Sequence, residues 1–278
     1  MDKSHKSRKK LAFALILLLI ISLSFLIIPR ENKSYAADRS GYIVIDAKKR
    51  TVYKGYNEHL RLPMASTTKV MTALIVIENC KLDEKVKIPK QAVGIEGSSI
   101  YLKEGEELSV GELLYGLMLR SGNDAACALA IHVAGSVENF AEIMNIRAQA
   151  MKLTDSHFTN PSGLHDDNHY TTAYDLAVIA CEAMKYAEFR KIVSTNFISV
   201  GKGENTRYFK NKNKMLHLYE GGNGIKTGFT KKAGRCLVSS ATRDGVTMVS
   251  VVLNRPDMWN ESVALLDYAF DNYSVTVK

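Results

Sequence analysis

Proline is scarce in this chain, five among 278 residues, and no Gly/Ser-rich linker, low-complexity tract or internal repeat interrupts it. Those absences exclude a disordered or repeat architecture, and 46% hydrophobic residues are enough to fill one large core. No Cys-x-x-Cys pair occurs among Cys80, Cys127, Cys181 and Cys236, and no histidine is spaced beside any of them as a zinc ligand would be. Each cysteine lies in an apolar run, so free, buried thiols packing as small hydrophobes are expected. A Gly-rich phosphate loop is also missing.

The excess of positive charge, +8 over the whole sequence, is concentrated at the N-terminus. Lys3, Lys6, Arg8, Lys9 and Lys10 precede an uncharged stretch over residues 11–28, the order of an export signal. Small residues at Ser34 and Ala36 suit cleavage before Ala37. The 18 apolar residues are also just long enough to remain as an anchor, which would hold the rest at the outer face of the cytoplasmic membrane. Residues 1–36 are therefore expected to be a signal peptide or N-terminal membrane segment, and residues 37–278 an exported domain. Residues 1–36 contain seven Lys/Arg and two acids, so the remainder carries only +3. That argues against a nucleic-acid partner, which would need a folded basic patch, and suits an anionic cell wall.

After the leader, Gly41-Tyr-Ile-Val-Ile-Asp46 and Thr51-Val-Tyr-Lys-Gly-Tyr56 flank a Lys-Lys-Arg turn and predict a hairpin. From Ser66 to about Asn79 apolar residues fall on every side, the pattern of a helix buried all round. Ser109 to Glu112, Ser136 to Asn139 and Thr172 to Asp175 have the form of capped helix starts. Strands are expected over residues 225–230, 236–241 and 247–253, with a last helix around 261–271. Strands at both ends of a helical insert imply an α+β fold: an antiparallel sheet packed with helices, a helical half, and a cleft between them.

Three motifs punctuate this plan in a fixed order: Ser66-Thr67-Thr68-Lys69, Ser121-Gly122-Asn123 and Lys226-Thr227-Gly228, with 55 and 105 residues between their first members. Singly each is weak, since Ser-x-x-Lys recurs at Ser7/Lys10 and Ser199/Lys202 and Ser-x-Asn at Ser194/Asn196. Ser66 and Lys69, three apart, share one helix face, so the amine can reach the hydroxyl. An apolar enclosure would lower the lysine pKa until the neutral amine accepts a proton. Ser121, in a turn between helices, could relay that proton to a leaving amine, while the Asn123 amide orients lysine or substrate. On a strand, Lys226 and Thr227 can hold a carboxylate, and Gly228, lacking a Cβ, lets a peptide lie alongside. His165-Asp166-Asp167-Asn168-His169 lacks a flanking ligand set and reads as a solvated turn or cleft rim, so no metal is expected.

The ordered set resembles the signature of active-site serine penicillin-binding proteins and class A β-lactamases. With Pro63-Met-Ala-Ser-Thr-Thr-Lys69, Arg120-Ser-Gly-Asn-Asp124, Asn160-Pro-Ser-Gly-Leu164 and Gly224-Ile-Lys-Thr-Gly228, it is most similar to the serine D-alanyl-D-alanine carboxypeptidases, the low-molecular-mass penicillin-binding proteins, over roughly residues 40–272. The resemblance implies the penicillin-binding-protein/β-lactamase-like transpeptidase fold, Ser66, Lys69 and Ser121 as catalytic residues, and Asn123, Lys226, Thr227, Gly228 and Phe229 as substrate-binding residues. The amides of Ser66 and Phe229 would form the oxyanion hole. Its implied substrate is a peptidoglycan stem peptide ending in D-Ala-D-Ala, its implied inhibitors β-lactam antibiotics, and it needs no cofactor. Class A β-lactamases place a glutamate some 35 residues beyond the Ser-x-Asn turn; residues 155–167 contain none, so slow penicilloyl release is expected. Two departures stand out. No separate C-terminal β-domain is expected within residues 37–278, and where relatives carry an arginine for the terminal carboxylate this sequence reads Met258-Trp259-Asn260, leaving Arg255 or Arg235 as substitutes.

Overall fold

The computed structural model describes residues 39–276; the predicted leader lies outside the described residues. Strand β1 (Gly41–Asp46) turns back into β2 (Val52–Tyr56) as expected. The Asp46 carboxylate closes the turn by accepting from the amides of Lys48 and Lys49, both at 2.7 Å. The last three strands, β7 (Gly222–Thr230), β8 (Gly234–Arg243) and β9 (Val246–Leu253), complete an antiparallel sheet in the order β2-β1-β9-β8-β7. Asp244 and Gly245, both at positive φ, make the two-residue connection between β8 and β9 whose twist suits a hairpin.

Side-chain alternation sends the two faces of this sheet into different cores. Ile43, Ile45, Val249 and Val251 point into the larger one, built with the helical half, whereas Val44, Met248, Val252 and Leu237 meet Leu265, Leu266 and Ala269 of the final helix, α8 (Met258–Thr276). At the centre of the helical half lies α1 (Lys69–Asn79), with Val70, Met71, Leu74, Ile75 and Val76 all buried. Around it pack α3 (Asn123–Ala134), α4 (Val137–Ala150) and α5 (Ala173–Ala183). The three anticipated caps are present: Ser109 forms a full capping box with Glu112 ahead of α2 (Val110–Tyr115), and Ser136 and Thr172 accept from the amides three residues on.

One boundary differs from expectation. Ser66 does not open the α-helix; it lies in a 3-10 turn, Ala65–Thr68, and the α-helix starts at Lys69. Thr67 and Thr68 tighten that turn by donating their hydroxyls to the carbonyls of Met64 and Ala65, at 2.6 and 2.8 Å. Such local bonds compete with α-helical geometry. Five elements were not anticipated: the two-stranded pairs β3 (Lys85–Lys87) with β4 (Glu107–Ser109) and β5 (Phe197–Val200) with β6 (Arg207–Lys210), and α6 (Ala187–Ser194), which packs on β7. A single helical turn, α7 (Met215–Leu218), leads into β7. Cys127, Cys181 and Cys236 are buried free thiols, as expected, but Cys80 is only half-buried. Among the described residues no helix is long and apolar enough to cross a membrane.

Candidate active site

The three motifs converge where the helical half meets strand β7. Lys69 is fully buried, and its Nζ lies 3.0 Å from Ser66 Oγ, 2.7 Å from Asn123 Oδ1 and 2.5 Å from the carbonyl oxygen of Ser162. The orientation of the Asn123 amide is fixed from its other side, because Nδ2 donates to the Glu96 carbonyl at 2.6 Å. Two of the three groups around Lys69 are thus acceptors only. A neutral amine satisfies both with its two N–H bonds, and its lone pair is left facing the Ser66 hydroxyl, the one neighbour that can donate. Burial, and after it the positive charge of Lys226, hold the Lys69 pKa well below the usual lysine value.

Ser121 is reached from α2 through a π-helical turn, Gly116–Arg120, and takes a left-handed conformation at φ 65° before α3 begins. Glycine would fit that backbone with less strain, and the serine in its place puts a hydroxyl on the cleft wall. Its neighbour Asp124 anchors the facing loop. The carboxylate accepts from the Ser99 hydroxyl at 2.6 Å and from the amides of Ile100 and Leu102, which leaves Ser98 on the cleft wall beside Ser121.

Strand β7 is an edge strand of the sheet, so its outer side is open to the cleft. A Cβ on Gly228 would stand 3.1 Å from both Met64 O and Ser66 N, so glycine here keeps the space beside the Ser66 amide clear. Thr227, Gly228 and the exposed Phe229 line the cleft. Lys226 is buried beneath them with Nζ donating to the Thr227 carbonyl at 2.8 Å. Burial first, and the charge of Lys212 second, push its pKa down to about 7. The cleft holds about 400 Å³; Lys212, Lys214 and Arg235 contribute cations to its wall, and no Asp or Glu lines it.

Of the two arginines considered for a terminal carboxylate, Arg235 lines the cleft and sits over the Phe229 ring at 6.0 Å. Arg255 is turned away, bonded to Glu261 at 2.6 Å and to Ser40 Oγ at 2.9 Å. Met258 and Trp259 reach the cleft, and Lys214 approaches the Trp259 ring at 5.9 Å.

The sequence marks residues 160–163 as a turn and residues 160–164 as one of the segments that carry the resemblance, with no role in the chemistry. In the fold their backbone belongs to the site: Pro161 O accepts from Thr72 Oγ1 at 2.6 Å while Ser162 O accepts from Lys69. Gly163, at φ 82°, is pressed so close that a Cβ would meet the Ala65 carbonyl oxygen at 1.9 Å. The Asn-Pro-Ser-Gly composition was the available signal. His169 also proves structural. Its Nδ1 accepts from the Thr159 amide at 3.0 Å, so the proton is on Nε2, which donates to Thr68 Oγ1 at 2.8 Å. Burial holds this imidazole neutral, with its pKa lowered to about 4.

A serine facing a desolvated lysine, a second hydroxyl across the cleft and a basic edge strand define a serine acyl-transfer enzyme of the penicillin-binding class. Comparison with known proteins makes this specific. Residues 30–257 match the D-alanyl-D-alanine carboxypeptidase family. A D-alanyl-D-alanine carboxypeptidase of Streptomyces sp. is 35% identical over 260 residues, covering 86% of this chain and 89% of its own length. D-alanyl-D-alanine carboxypeptidase DacF of Bacillus subtilis is 34% identical over 253 residues, 88% of this chain but 65% of its own length. Among solved structures, a point mutant of a Streptomyces DD-transpeptidase superimposes with a TM-score of 0.79 at 33% identity, covering 83% of this chain and 97% of that one. A D-alanyl-D-alanine carboxypeptidase of Mycobacterium tuberculosis also gives 0.79, at 30% identity, covering 83% and 90%. The chain belongs to the D-alanyl-D-alanine carboxypeptidase family, and its fold is that of the DD-peptidases.

Proposed function

We propose that the protein removes the terminal D-alanine from peptidoglycan stem peptides through an acyl-enzyme on Ser66, and that β-lactams acylate the same serine. The observation that carries this reading is the Lys69 environment: full burial and two acceptor-only partners favour the neutral amine, and Nζ lies 3.0 Å from Ser66 Oγ, where such an amine can accept the hydroxyl proton.

In the proposed sequence the Ser66 Oγ–H proton passes to Lys69 as Oγ attacks the carbonyl carbon of the penultimate D-alanine. The amides of Ser66 and Phe229 hold the developing oxyanion. As the C–N bond breaks, the leaving amine takes the proton from Lys69 by way of the Ser121 hydroxyl. Water then attacks the ester, again giving up a proton to Lys69, and Ser66 is restored. Lys226, Thr227 and Arg235 receive the substrate carboxylate, and the peptide adds along β7 beside Gly228. With a β-lactam the leaving amine stays tethered to the acyl group and obstructs the water. The segment against Lys69 offers the Ser162 carbonyl rather than a carboxylate to activate that water, which supports slow penicilloyl release. Residues 1–36 are proposed to be the export leader and residues 37–278 the catalytic domain, working on the wall side of the membrane. A native N-terminus at Ala37 fits secretion, and retention of residues 11–28 fits an anchored enzyme at the outer face of the membrane.

An intact-mass time course of the protein with benzylpenicillin, beside Ser66→Ala and a peptide ending in D-Ala-D-Ala, tests the proposal. A lasting adduct on the wild type alone, with D-alanine released from the peptide, is expected. Penicillin consumed without a lasting adduct would indicate a β-lactamase, and an adduct that persists in Ser66→Ala would remove Ser66 from its role.

A further inference from the structure

Far from the cleft, the fold assembles a group of donors that sequence spacing had kept apart. Cys80 follows the last residue of α1, Glu84 lies in the turn before β3, and His132 belongs to the last turn of α3. One donor atom from each, sulfur, carboxylate oxygen and imidazole nitrogen, lies within 4.8 Å of the other two. We propose that Cys80, Glu84 and His132 bind a divalent transition metal of the zinc type and thereby fasten the far ends of α1 and α3 together.

The geometry fits such an ion. A tetrahedral zinc with bonds of about 2.0–2.1 Å to nitrogen and about 2.0–2.2 Å to oxygen separates those two atoms by about 3.4 Å. His132 Nε2 and Glu84 Oε2 already stand 3.4 Å apart. A zinc–sulfur bond of about 2.3 Å needs sulfur-to-donor separations of about 3.6 Å, so Cys80 Sγ must close by little more than about 1 Å, within reach of one side-chain rotation. The carboxylate is aimed from behind, since Glu84 Oε1 accepts from the Lys81 amide at 2.7 Å and leaves Oε2 for the metal. Thiolate and carboxylate together balance a dication, and the partly exposed side chains of His132 and Glu84 leave a path for entry and a fourth position for water.

The placement gives the site a purpose. α1 begins at Lys69 and α3 at Asn123, and the Lys69–Asn123 hydrogen bond of 2.7 Å joins them at the cleft end. The metal cluster would join the same two helices at their opposite ends, fixing the scaffold from which the site residues project without touching the chemistry.

The test uses the tag-free full chain, reduced and stripped of metal by chelation, titrated with Co2+ and then competed with Zn2+. The expected result is one ion per chain, a thiolate-to-cobalt charge-transfer absorption, and a Tm raised by several degrees by Zn2+. Cys80→Ser should abolish the charge-transfer band, and His132→Ala and Glu84→Gln should each weaken Zn2+ binding at least about tenfold. All three should still be acylated by benzylpenicillin, which shows that they fold. No charge-transfer band in the wild type, a band that survives Cys80→Ser, or affinity unchanged in both His132→Ala and Glu84→Gln would each overturn the proposal.

Discussion

Replacing Lys226 by methionine, of similar length and volume, separates what that residue does for stability from what it does for function. Its ammonium is buried against a second cation, and its pKa falls from 10.5 to about 7. At about 1.4 kcal/mol per pH unit, the charged form is therefore disfavoured in the folded state by about 5 kcal/mol. The folded pKa lies below the unfolded one, so between about 7 and 10.5 the unfolded chain holds a proton that the native protein has released. Stability consequently rises with pH through that window, and the whole penalty is present below about pH 7. Lys226→Met removes the penalty. Its stability gain over the wild type should be largest near pH 6 and should shrink by about 3 kcal/mol on going to about pH 9. Urea unfolding of both proteins at the two pH values measures the difference, with equal m-values required. The same variant should lose acylation by benzylpenicillin, about a hundredfold, if Lys226 makes the charge-assisted hydrogen bond to the ligand carboxylate proposed above. A variant no more stable near pH 6 than near pH 9, relative to the wild type, would refute the claim that Lys226 is a strained, buried cation.

Three further perturbations address neighbouring parts of the site. Asn123→Asp places a carboxylate where the amide oxygen now lies 2.7 Å from Lys69 Nζ; it should raise the Lys69 pKa and move the rising limb of the acylation pH profile upward by about one to three pH units, read from intact-mass rates across pH. His169 titrates near 4 when folded and 6.5 when unfolded, so stability should fall by about 3 kcal/mol as pH drops through that window. His169→Gln should flatten this slope in a urea-midpoint series, and an unchanged slope would show that another group governs acid unfolding. Arg235→Leu should raise KM about tenfold for a peptide with a free terminal carboxylate and leave its methyl ester unaffected, as expected of a partly exposed charge-assisted contact on the cleft wall.

The sites that were legible in the sequence are those whose chemistry requires a particular side chain at a particular spacing. Ser66, Lys69, Ser121, Asn123 and Lys226 fall in this group because hydroxyl, amine and amide must meet. The Ser162 carbonyl was not legible, since any residue supplies a carbonyl and only the conformation of the turn aims it at Lys69. Gly163 hinted at that turn, but the 1.9 Å approach to Ala65 is a long-range fact. Lys212 and Lys214 resemble surface lysines until α7 and β7 bring them to the cleft wall. The same limit hid β3 and β4, three-residue strands whose single inward positions, Val86 and Leu108, carry no detectable alternation. It also hid the meeting of Cys80 with His132, which are 52 positions apart.

Electrostatics connects the buried lysines to the proposed choice of substrate. The charge of Lys226 lowers the tolerance of Lys69 for a proton, as that of Lys212 does for Lys226, and the anion felt at Lys69, Asp124, has its oxygens committed to Ser99, Ile100 and Leu102. The free site therefore holds positive charge that no carboxylate on the cleft wall neutralises. A substrate ending in a carboxylate supplies the missing anion beside Lys226, raising that pKa and favouring its protonated form, while the more deeply engaged Lys69 stays available as base. An internal peptide bond brings no such anion, so it would enter the cleft without the interaction that offsets the buried cation. On this reasoning the preference for a chain terminus arises from an unpaired lysine that destabilises the empty enzyme, and the energy of its burial is recovered in binding the substrate the site is proposed to cut.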